Sequence, residues 1–119
     1  MPKRPNPFLG TWRIVEMDQW DRDYIDLVVP GYIKFERGNA GSFQFGVIEG
    51  GLDCRFETVD GTERVDFSWY GASEMDDVSG RGWAILKGRE LVGHIFIHGS
   101  DDSAFRAGRS ASRTKRGVA

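Results

Sequence analysis

On either side of Asp60-Gly61 the chain alternates apolar and polar residues, and that alternation limits the fold more than any other feature. In GLDCRFETV, Leu52, Cys54 and Phe56 fall on one face, with Asp53, Arg55 and Glu57 on the other. In ERVDFSWYG, Val65, Phe67 and Trp69 share a face, and Arg64, Asp66 and Ser68 oppose them. A period of two residues is that of a pleated strand with one buried side, whereas a helix repeats near 3.6. Asp60-Gly61 supplies the turn, because a type I′ hairpin needs positive φ at both central residues.

The same pattern runs through the rest of the chain. LGTWRIVEM reads as a first strand. YIKFE buries Ile33 and Phe35, RGNAG turns, and SFQFGV sets Phe43 and Phe45 together. GWAILKGRELVGHIFIH reads as a second hairpin about Lys87-Gly88-Arg89. Its first arm is expected to turn Trp83 and Ile85 inward. Its second arm separates Leu91, Gly93, Ile95 and Ile97 from Val92, His94, Phe96 and His98. SAFRAGR adds a short last strand, and ASEMDDVSGRG reads as a loop able to cover one end. The one candidate helix is MDQWDRDYIDLVV, capped by Asp18, with Trp20 and Tyr24 four residues apart and Pro30-Gly31 as its stop. About eight short strands with frequent turn signals, together with 16 glycines, give an all-β antiparallel barrel or sandwich. A length of 119 residues suits one domain. The expected divisions are a flexible segment over 1–8, the barrel over 9–109 and a disordered basic tail over 110–119.

Gly10-Thr11-Trp12 opens the first strand, and Arg106 and Arg109 lie in the last. This pairing resembles the lipocalin and calycin superfamily, in which Gly-x-Trp begins the barrel and an arginine of the last strand packs across the tryptophan. The resemblance spans about residues 9–109 and implies an up-and-down barrel closed by Gly10, Trp12, Arg106 and Arg109. A guanidinium over the indole would close the floor by a cation–π contact. The chain is shorter than a secreted lipocalin and lacks its signal peptide and disulfide. It looks more like the compact intracellular calycin-like domains of bacteria, many of which have no assigned role.

Charge narrows the partners. The net charge is −2, but Lys3, Arg4, Arg109, Arg113, Lys115 and Arg116 sit at the ends. Removing those six from 16 basic residues leaves 10 against 18 acids, so residues 8–108 carry about −8. An acidic body is a poor match for nucleic acid, whose phosphates need a basic surface. Cys54 is the single cysteine, so no internal disulfide forms, which suits a reducing compartment. The start MPKRPNPFLG has no apolar stretch, and no run approaches the roughly 18 apolar residues of a membrane span. A cytoplasmic protein with no membrane partner is expected.

A barrel of about eight strands is just wide enough to be filled by side chains or to hold one small ligand. Two functional classes follow. In the first, a small apolar or aromatic molecule enters the barrel mouth against Phe43, Phe45, Phe67, Trp69 and Trp83, with His98 at the rim. In the second, the barrel is filled and acts on another protein or a second copy, through an acidic surface or an exposed patch around Trp20 and Phe96. An enzyme is a distant third. Cys54 alternates with core residues and reads as an inert thiol, and no serine shows a nucleophile elbow. IEGGL and SGRG lack the ending of a phosphate loop. His94 and His98 lie four residues apart on one strand. At the rise of a strand that spacing is about 13 Å, too far for the two rings to share one metal. The acids Glu16, Asp18, Asp21, Asp23 and Asp26 lack calcium-loop spacing and read as solvated charges or an acidic rim. Neither a cofactor nor a metal is expected.

Overall fold

In the computed structural model, which describes residues 6–109, the chain forms a closed antiparallel barrel. Its strands are β1 (Gly10–Met17), β2 (Tyr32–Glu36), β3 (Ala40–Phe45), β4 (Ile48–Val59), β5 (Thr62–Ser73), β6 (Asp76–Lys87), β7 (Glu90–Ile97) and β8 (Asp102–Arg109). Each strand pairs with the next, and β8 returns to β1. Closure of this kind leaves no open sheet edge among the described residues. Of the antiparallel barrel or sandwich expected from the alternation, the chain forms the barrel, with the up-and-down order that the resemblance implied. The expected tail over 110–119 lies outside the described residues, as does the start of the expected N-terminal segment.

The turns follow from local chemistry. Asp60 has φ 52 and Gly61 has φ 80 degrees. Positive φ at both positions is what a type I′ hairpin requires. The long arms it joins pair in unbroken register from Ile48↔Ser73 to Val59↔Thr62. Gly38 and Asn39 turn between β2 and β3, also with positive φ at both residues. The segment expected to cover one end is instead a tight β5–β6 turn at Glu74 and Met75, with Ala72 and Ser73 in β5 and the remainder in β6.

The helix is shorter than expected. α1 spans Arg22–Ile25, and its N-cap is Asp21, not Asp18, with the Asp21 carboxylate accepting from the Tyr24 N–H. Asp18 has a different task. Its carboxylate accepts from the Ser103 hydroxyl and the Ala104 N–H, which ties the end of β1 to β8. Among the described residues no helix is long and apolar enough to cross a membrane.

The core lies inside the barrel and is built from the faces that alternation marked on β2 to β5 and β7. The β6 assignment is corrected. Trp83 and Ile85 point outward, and Gly82 and Ala84 face the interior. The reason is space. A Cβ on Gly82 would lie 2.6 Å from the Phe67 ring, and one on Gly80 would lie 2.9 Å from the Trp69 indole nitrogen. Large residues of β5 fill the space that β6 leaves, so β6 can offer only small ones.

Candidate functional site

Both ends of the barrel are stopped by side chains. At the floor, Phe8 is 1% exposed and packs on Phe35 and Phe56 with ring centroids 5.9 and 5.7 Å apart. The folded unit therefore includes Phe8, which the expected boundary had left outside. Trp12 Nε1 donates to the Phe8 carbonyl at 2.9 Å. The Arg109 guanidinium lies 4.0 Å over the Trp12 ring and donates to the carbonyls of Leu9 and Pro7. Gly10, in the positive-φ region, passes where a side chain would meet Arg109 Nη1 at 2.6 Å. Gly10, Trp12 and Arg109 thus make the expected closure. Arg106 does not share in it: it faces outward and joins Glu16 at 3.0 Å and Glu90 at 2.6 Å.

The other end is covered by α1 and the residues around it. Trp20 stacks on Tyr24 and meets Phe45 edge-on at 4.9 Å, so it belongs to this cover and not to an open patch. Asp26 pins the cover down, accepting from Arg13 Nη2 and the Gly31 N–H, both at 2.8 Å. Partial burial pushes the Asp26 carboxyl upward, but these donors outweigh it and hold the group below its ordinary range. Asp18 and Asp21 are exposed, as expected of solvated charges, and with the half-buried Asp26 they also hold structure.

The interior between these covers is filled. Phe43, Phe45, Phe67 and Trp69, expected to line a ligand pocket, are each at most 4% exposed and belong to one buried cluster. Phe43 meets Phe45 and Trp69 edge-on at 5.8 and 4.9 Å. A void among Ile14, Met17, Ile33, Phe43, Phe45, Ile95 and Phe105 measures about 10 Å³. That is at the lower limit for a single water, roughly 10–15 Å³. A drug-sized ligand needs roughly 300 Å³ or more. The expected interior pocket is therefore corrected to a packed core. His98 stands exposed on the outer wall, in a shallow groove with Tyr70, Val78 and Ser79, and does not reach the interior.

Cys54 is fully buried in this core, and burial raises its thiol to about 11. A thiol so placed is neither ionised nor reachable at neutral pH. Iodoacetamide at pH 8 is expected to leave Cys54 unmodified in the folded protein and to alkylate it within minutes in 6 M guanidinium, as followed by intact mass. Rapid alkylation of the native protein would contradict this packing.

The outer wall of β4 to β8 carries the remaining organised chemistry. Cross-strand register sets it out in rows. Asp53, Ser68, Arg81 and Phe96 form one row, and Arg55, Asp66, Trp83, His94 and Ala104 the next. The Arg64 guanidinium lies 4.9 Å over the Trp83 ring and Arg81 lies 4.7 Å over Phe96. Arg64 also donates to both carboxylate oxygens of Asp66, and this pairing holds the Asp66 carboxyl below its ordinary range. His94 Nε2 lies 2.5 Å from Asp102, and its ring sits 4.6 Å from that of Phe96.

Trp83 stands between two grooves on this wall. One, of about 350 Å³, runs past Arg64, Asp66, Arg81 and Phe96. The other, of about 320 Å³, runs over Val92, Ala104 and Arg106. Phe96 on the polar side of β7 was the visible sign of this wall. Arg64 and Arg81 were not legible as ring partners, because a cation–π contact across strands depends on register.

Among the described residues, no group of three or more His, Cys, Asp or Glu side chains converges as a metal site. Comparison with protein-family models, with curated proteins and with solved structures finds no match to this chain.

Proposed function

We propose that this chain is a protein-interaction module that works through its outer wall at Trp83, with the barrel serving as a filled scaffold. The observation that supports this reading is where the aromatic surface lies. The interior is packed to a void of about 10 Å³, and Trp83 stands outside between two grooves. Tryptophan and arginine are the residues most often found at binding hot spots, and here they alternate on one rigid sheet. The closure by Gly10, Trp12 and Arg109 supports counting the chain among calycin-like barrels, a kinship that speaks to fold and not to activity.

The test is panning of a random dodecapeptide display library on the barrel, followed by titration of synthetic hits against wild type and Trp83→Ser. Truncating a hot-spot tryptophan costs about 2 kcal/mol or more, so hits should bind Trp83→Ser about thirtyfold more weakly. The melting temperature should fall only modestly, since Trp83 is half-buried on the outer wall and its cation–π contact with Arg64 contributes about 0.5–1 kcal/mol. Hits that bind Trp83→Ser as tightly, or a library that yields no binder, would overturn the reading.

A further inference from the structure

Arg81 differs from the other arginines of β4 to β8. Arg55 pairs with Asp53 at 2.6 Å, Arg64 grips Asp66, Arg106 bridges Glu16 and Glu90, and Arg109 seals the floor. Among the described residues Arg81 has no carboxylate within 4.0 Å and no hydrogen-bond acceptor. The Phe96 ring holds its position, and Ser68 is its cross-strand neighbour. A guanidinium held in place without an acceptor is preorganised for a bidentate oxyanion, a carboxylate or a phosphate, the strong hydrogen-bonded partners of arginine.

The rest of the protein restricts what kind of anion that is. Residues 8–108 carry about −8, a field that repels a polyanion such as nucleic acid. The groove beside Arg81 is walled by the Trp83 and Phe96 rings, and Trp83 also lines a second groove. The grooves measure about 350 and 320 Å³, so the two together have more room than a single small acid fills. Building on the interaction reading above, we propose that this wall takes an extended segment of a partner protein that carries one carboxylate side chain among aromatic residues, the carboxylate seating on Arg81 beside Ser68.

The test compares library selections on wild type, Arg81→Gln and Arg81→Glu, each first checked for an unchanged melting temperature. Wild type should enrich a single Asp or Glu flanked by aromatic residues. Those peptides should bind Arg81→Gln at least tenfold more weakly, and selections on Arg81→Glu should exchange the acid for Lys or Arg. Hits that need Trp83 but show no acid preference, or keep it on Arg81→Gln, would overturn this proposal while the interaction reading stands. Hits indifferent to both residues would overturn both. Phenylacetate, titrated by ¹⁵N-edited NMR, should shift the Arg81 side chain only weakly; binding as tight as the peptide hits would make the occupant a small acid and refute a protein segment.

Discussion

Trp12→Ala should lower the unfolding free energy by about 3–5 kcal/mol, the usual cost of removing a buried Phe or Trp side chain. Trp12 is 2% exposed, and three separate devices meet on it. Its Nε1 donates to the Phe8 carbonyl, its ring carries Arg109, and it shares the floor with the Phe8 plug. Removing the indole leaves a cavity, strands an acceptor and takes away the ring beneath the cation that ties β8 to the segment before β1. Urea denaturation monitored by circular dichroism gives the value. Trp12→Phe separates the parts, because it keeps most of the volume but loses the N–H donor, and it should cost about 1–3 kcal/mol. A loss well below the range for Trp12→Ala would mean that the floor contributes little to closing the barrel.

Gly80→Ala should destabilise by about 3 kcal/mol or more, at the upper end of overpacking costs or beyond. One methyl group added there would overlap the carbonyl oxygen of Phe96 and lie 2.9 Å from the Trp69 indole nitrogen. Trp69 Nε1 donates to that same carbonyl at 3.2 Å, so the glycine leaves the path by which a core indole finds its acceptor. The obstacle is backbone, which cannot swing aside as a flexible side chain can. Gly108→Ala is the matched control, since nothing lies within 4 Å of its Cβ position. It should be neutral to within about 0.5 kcal/mol, the usual span of a surface substitution that disturbs no packing. Equal stability of the two variants would show that β6 and β7 can separate at this point without loss.

The second prediction rests on how large and small residues are shared between neighbouring strands. β5 supplies Val65, Phe67 and Trp69, and the β6 residues facing them are Ala84, Gly82 and Gly80. Hydrophobicity alone favours turning Trp83 and Ile85 inward, because they are among the bulkiest residues of their arm. The opposite face wins because the space is already occupied. The same allocation moves Trp83 from the expected ligand pocket to the outer wall, and with it moves the candidate site. The expectation for His98 fails for a related reason. One residue past the end of β7, it keeps the parity of Val92, His94 and Phe96, but that group faces outward, so nearness to a strand end gives it no access to the interior.

Strands, turns and floor were largely legible in the chain itself. A two-residue period, Asp60-Gly61 with positive φ at both positions, and Gly-x-Trp paired with a late arginine are local or chemically specific signals. Local backbone preference is enough to set strands and turns, so these expectations carry over into the barrel. Four features emerge only once the barrel is closed: which of two alternating faces points inward on β6, whether the interior is open, which arginine seals the floor, and that Arg81 is left without an acid. Each of these depends on register between strands and on the sum of side-chain volumes around a closed ring. Alternation tells which residues share a face, but only the packing of all eight strands settles which face is inside.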